Sequence, residues 1–136
     1  MKKIAIGWLL LVLTACLLPL LAQEPGADVI TVERAVVASA IEEREPVGIA
    51  DRFPEDVGSV YYHTTLTGDF GETTLEHVWL HQGEEMARVA LRVRGPRWRT
   101  WSAKKIPPAW SGSWEVRLVD GSGAVLHSTR FTVGSE

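Results

Sequence analysis

Apolar and polar residues alternate with a period of two along several short stretches of this chain, most clearly over residues 86–94. There Ala87, Val89, Leu91 and Val93 fall on one side and Arg88, Ala90, Arg92 and Arg94 on the other. Successive side chains of a strand point to opposite sides, so this pattern predicts a strand with one dry face. The stretch SWEVRLVD repeats it, with Trp114, Val116 and Leu118 opposite Glu115 and Arg117. The segments ITVERAVVASAI, SVYYHTTLT, TTLEHVWLH, RWRTWS and AVLHSTRFTV are rich in β-branched and aromatic residues and also read as strands. The first of these fits an amphipathic helix as well, and its valine and isoleucine content decides for a strand. In the last, Val125 and Leu126 point to opposite faces, as at a bulge or an edge. HQGEE around Gly83 and DGSG at 120–123 supply the positive-φ positions of tight hairpins.

About seven short strands with no long helical period predict an all-β fold, a single antiparallel two-sheet sandwich of immunoglobulin-like architecture. A small closed barrel is the rival. The word immunoglobulin-like means architecture only, because the chain has no Cys…Trp…Cys signature.

The sandwich is expected over residues 30–136, after a linker at 23–29 that contains Pro and Gly and shows no periodicity. Ahead of it the chain opens with MKK and then runs uncharged to Ala22, the pattern of an export signal over residues 1–22. Two other readings stay open. LTAC, ending at Cys16, resembles a lipoprotein cleavage site, and the apolar run nearly suffices for an uncut membrane anchor. Each outcome puts the domain outside the cytoplasm, periplasmic or tethered facing the periplasm, with membrane contact only through this segment if it is retained or lipidated at Cys16. Cys16 is the only cysteine, so once the signal is removed no disulfide or thiolate metal site can be invoked.

Charge is uneven. Residues 23–87 carry 14 acids and 3 bases, whereas residues 88–136 carry 9 bases and 3 acids. The domain as a whole is acidic, which disfavours nucleic acid as a partner. The asymmetry has two explanations: attraction between strands of one sandwich, or a basic binding face.

Few residues point to reaction chemistry. His77 and His81 face one way on the same predicted strand, but a rise of about 3.3 Å per residue sets them about 13 Å apart, too far to share one zinc ion. His63 and His127 are read with them as ordinary strand positions, so no metal and no other cofactor is expected. The acids of EERE at 42–45 and PED at 54–56 sit in polar connections where solvation is the default. No nucleophile elbow or phosphate loop is present. An enzyme is therefore not expected, and no catalytic residue is nominated.

The concentrated signal is GPRWRTWSAKKIPPAW at 95–110. If this segment is extended, Arg97, Arg99 and Trp101 share one face, and Trp98, Thr100 and Ser102 the other. Trp98 is expected in the core, since the opposite face bears two guanidiniums that are costly to bury. Trp101 is then the surface aromatic, with Arg97 and Arg99 beside it and Lys104, Lys105 and Trp110 at the edge of the patch. The two prolines stiffen a connection that holds Trp110 near Trp114. Such a patch could stack on a sugar, hold an anionic polymer or anchor a protein. Equally, it could be a cation–π clamp closing the sandwich.

REPVG at 44–48, EHVWL at 76–80, GPRWRTWSAKKI at 95–106, WSGSWEVRLVDGSGAVL at 110–126 and FTV at 131–133 occur in this order. The series resembles the uncharacterised bacterial family called domain of unknown function 2914, over residues 32–133. That resemblance implies an all-β module associated with the cell envelope and carries over no catalytic or ligand residue. The expected function is a non-catalytic binding or interaction module of the envelope, its partner a protein or a glycan. A carbohydrate- or peptidoglycan-binding module and a structural subunit of an envelope complex are the alternatives.

Overall fold

The computed structural model describes residues 29–135, so the expected signal segment at 1–22, Cys16 and nearly all of the expected linker lie outside the described residues. The fold is a sandwich of two packed sheets. Among the described residues it has nine strands, β1 (Thr31–Glu42), β2 (Glu45–Ile49), β3 (Arg52–Phe53), β4 (Gly58–Thr67), β5 (Glu72–His81), β6 (Glu84–Arg94), β7 (Arg97–Ile106), β8 (Gly112–Val119) and β9 (Val125–Val133). The order is β2-β1-β4-β7 in one sheet and β3-β9-β8-β5-β6 in the other. All seven segments expected as strands form them.

Two strands exceed the expectation, and one pairing departs from it. β2 closes a hairpin on β1, and the two-residue β3 runs parallel to β9, whereas every other pair is antiparallel. The hairpin from β5 to β6 turns through Gln82 (φ 49°) and Gly83 (φ 83°), as the sequence around Gly83 predicts. A bulge between Leu118 and Val119 shifts the β8–β9 register, which accounts for the mismatched Val125 and Leu126.

The inner faces meet in one core. Tyr62 and Leu66 of β4, Leu75 and Trp79 of β5, Trp114, Val116 and Leu118 of β8, and Phe131 and Val133 of β9 are all buried there. Phe131 is its hub. It stacks on Trp114 at 6.1 Å and meets Trp79 and Phe53 edge-on at 6.2 and 5.9 Å, geometries that add to area burial. The alternation of β6 is present, but only Val93 of its apolar side is fully buried. β6 is an edge strand, so the opposing sheet covers it incompletely.

At one end of the sandwich the two crossovers into β5 and β7 are tied together. Gly68 N–H donates to Pro96 O (2.9 Å) and Gly95 N–H to Phe70 O (3.0 Å). A Cβ on Gly95 would sit 2.5 Å from the Phe70 carbonyl oxygen, so this approach requires glycine.

Candidate functional site

β7 is one of the two edge strands of the four-stranded sheet, and its position determines what its side chains can do. Thr100, Ser102 and Ile106 are buried on the inner side, while Arg97, Arg99 and Trp101 lie on the outer side. Trp98 has the inner parity and packs against the core, but it is only half-buried. Trp98 thus takes the core-facing side expected of it, but only at the margin of the core, because an edge strand leaves its inner side partly open.

Trp101 is also half-buried. Its neighbour across the pairing is His63 of β4, and the two rings stack with centroids 5.9 Å apart and planes 5° from parallel. His63 is 1% exposed although it lies on the outer side of the sheet. Its Nε2–H donates to the Arg44 carbonyl oxygen at 2.9 Å. Its Nδ1 has no hydrogen-bond partner among the described residues. Burial holds the imidazole below its ordinary pKa; Glu45 and the bond to Arg44 oppose this shift, and the charges of Arg34 and Arg99 add to it.

Arg44 reaches this place through a two-residue turn. Glu43 (φ 49°) and Arg44 (φ 68°) both adopt the left-handed conformation between β1 and β2. For residues bearing a Cβ this costs about 1–2 kcal/mol each; it is the geometry of a two-residue hairpin loop, as at Gln82–Gly83. The bond from His63 fixes the turn against the sheet.

Together, Arg44, Arg97, Trp98, Arg99 and Trp101 line a cleft of about 370 Å³. Glu33 and Glu45 accompany it. Arg97 places Nε and Nη2 on one oxygen of Glu33 (3.3 and 3.2 Å), Arg99 bonds Glu45 through Nη1, and Arg34 lies 3.9 Å from Glu45. Bonds from Arg92 to Glu72 and from Arg88 to Glu76 likewise join the basic and acidic halves of the chain. Attraction between strands therefore accounts for much of the charge asymmetry.

Lys104, Lys105 and Trp110 are gathered elsewhere. Lys104 has the opposite parity from Trp101, and its Nζ lies over the Trp110 ring at 4.8 Å. Trp110, in the 3₁₀ turn Pro108–Trp110, accepts the Trp114 indole N–H on its carbonyl at 2.8 Å, so the stiff connection does hold the two together. Lys105 and Trp110 line an open hollow with Gly58, Ser59 and Pro107. The six sequence candidates thus divide between a cleft and a clamp at opposite ends of β7.

A Ser–His pair lies inside the sandwich. Thr64 Oγ1–H donates to Thr100 O (3.2 Å), so it can only accept from His77 Nε2–H (3.3 Å). Nδ1 of His77 then accepts the Ser102 hydroxyl (2.7 Å), which itself accepts Trp79 Nε1–H (3.1 Å). Every polar atom of this chain is used, and His77 is fully buried with its pKa lowered by desolvation to about 3. The Ser102 oxygen is committed and shielded, unlike that of an activated nucleophile. Among the described residues, no group of three or more His, Cys, Asp or Glu side chains converges as metal ligands would.

Sequence reasoning missed Arg44 and His63 as members of the site. The signal for Arg44 is a lone base among the acids of EERE, and that for His63 is its pairing with Trp101, visible only once the strand register is known.

Residues 72–133 match a family described as a protein of unknown function (DUF2914). The matched segment runs from β5 to β9, so it contains Arg97, Trp98, Arg99 and Trp101, while Arg44 and His63 precede it. The chain resembles that family over a shorter range than the motif series suggests. No curated protein matches the chain.

Proposed function

We propose that this protein is an exported, non-catalytic binding module of the cell envelope, and that the cleft at the β7 edge is its contact surface. One observation carries this reading: Trp101, stacked on a buried histidine, shares a concave site with three arginines and a second tryptophan. Aromatic and arginine side chains in partly desolvated pockets dominate binding hot spots. A second cleft of about 290 Å³, lined by Glu72, Arg92, Val93, Arg94 and Trp98, extends the surface past the Trp98 ring. Location outside the cytoplasm rests on the charged and then apolar pattern of residues 1–22. The partner is an envelope protein or glycan.

Site-specific photocrosslinking in the native envelope tests this. A crosslinker at Arg97, on the cleft, is expected to give discrete adducts, whereas one at the exposed Ser128 on β9 is not. Equal labelling from both positions would remove the cleft as the contact surface.

A further inference from the structure

We infer that the cleft takes a saccharide unit bearing a carboxylate, with its ring on an indole and its acid on the guanidiniums, an inference that rests on the cleft being the binding surface. The cleft lining favours an anion. It carries three guanidiniums, Arg44, Arg97 and Arg99, and no carboxylate; Glu33 and Glu45 pair with Arg97 and Arg99, while Glu42 and Glu43 belong to the exposed turn that bears Arg44. Hydrogen-bonding capacity points the same way. A guanidinium has five N–H donors; Arg97 commits Nε and Nη2 to Glu33 and Arg99 commits Nη1 to Glu45, so each retains donors. The Arg44 guanidinium has no ion partner among the described residues, and a strained turn holds it at the cleft. Planar donors of this kind match a carboxylate.

The aromatic part selects a ring. Trp101 is held by His63 on one side, and His63 is held in turn by the Arg44 carbonyl. What Trp101 offers the cleft is therefore its opposite face and rim, fixed before a ligand arrives, which reduces the ordering cost of binding. The apolar face of a pyranose fits a flat indole, and about 370 Å³ lies at the small-ligand end of binding sites, with room for roughly one or two rings. An acidic peptide without rings would use the arginines alone and leave the Trp101 face uncovered. A neutral sugar would leave the free guanidinium donors unused. A ring bearing an acid engages both halves of the site.

The test is calorimetric titration of the full-length chain with two acidic saccharides: the disaccharide N-acetylglucosaminyl-N-acetylmuramic acid, and oligogalacturonate. Neutral chitobiose and tetraglutamate serve as controls. At least one acidic saccharide is expected to bind at least tenfold tighter than both controls, and Arg44→Gly, which leaves the core untouched, is expected to weaken that binding at least tenfold. A preference for the muramic disaccharide assigns a lactyl-type carboxylate; a preference for oligogalacturonate assigns a ring carboxylate. Chitobiose binding as tightly would overturn the demand for charge, and tetraglutamate binding as tightly would overturn the demand for a ring. Silence from every probe, or binding indifferent to Arg44→Gly, would overturn the inference. The crosslinking at Arg97 reports separately whether the cleft is a contact surface, because it assumes no ligand identity.

Discussion

His77 and His63 lie on opposite sides of the paired strands β4 and β7, and both are almost wholly buried. His77 reaches from β5 to the inner side, where Thr64, Ser102 and Trp79 satisfy both of its nitrogens through a closed chain of bonds. His63 holds the outer side, where one nitrogen fixes Arg44 and the other has no partner among the described residues. A saturated buried network specifies packing. A buried acceptor left unpaired costs about 1–3 kcal/mol, and on the outer side that cost adds to a left-handed turn at Glu43 and Arg44. The residue types are alike on the two sides. What separates the structural site from the proposed binding site is whether its polar capacity is spent internally.

The largest expected effect tests the inner side. Trp79→Ala removes a fully buried ring and the donor to Ser102, and should lower stability by about 3–5 kcal/mol, measured by urea denaturation. A loss below about 1 kcal/mol would mean that the inner chain is not the closed network described.

Acidification comes next. The folded pKa of His77 is lowered to about 3 from an ordinary 6.5, so below 6.5 the unfolded chain takes up the proton first and stability falls with pH. Between about pH 7 and pH 5 the loss should be about 2 kcal/mol from this group. His63, whose pKa is also lowered, acts with the same sign. Carboxylates titrate mostly below this window, so a flat profile of denaturation midpoint across it would contradict a buried neutral His77.

On the outer side, Trp101→Ala should cost only about 1–2 kcal/mol, because the ring is half-buried and stacked on His63. A cost as large as that of Trp79→Ala would make Trp101 a core residue and erase the contrast. Arg44→Gly gives the smallest effect and the opposite sign. Glycine relieves the left-handed strain, and stability should rise by about 0.5–1 kcal/mol while cleft binding falls. Equal loss of both, read by denaturation and titration on the same protein, would show that the turn serves the fold rather than the site.

Much of this architecture is legible in the chain because period-two patterns survive wherever one face is buried, as in β8 and in Val93 of β6. β2 escapes notice because its residues are mostly exposed and it contains Pro46 and the positive-φ Gly48, so neither periodicity nor composition marks it. β3 is only two residues long, and its existence depends on β9 lying alongside. Strand order is the larger gap. It makes β7 an edge, leaves Trp98 half-open and brings Glu33 and Glu45 to Arg97 and Arg99, none of which local pattern encodes. The shared face of Arg97, Arg99 and Trp101 follows from parity alone, whereas Arg44 and His63 join it only through long-range register.

The cleft is assembled from two sources. Its platform, from Arg97 to Trp101, belongs to the stretch that matches the family, while its clasp, the Glu43–Arg44 turn, is supplied by a hairpin lying before that stretch. A clasp that hangs from an edge hairpin can be rewritten without disturbing the interior. Exchanging residues 42–45 is therefore the economical route to altering the proposed ligand preference on the same tryptophan-bearing floor.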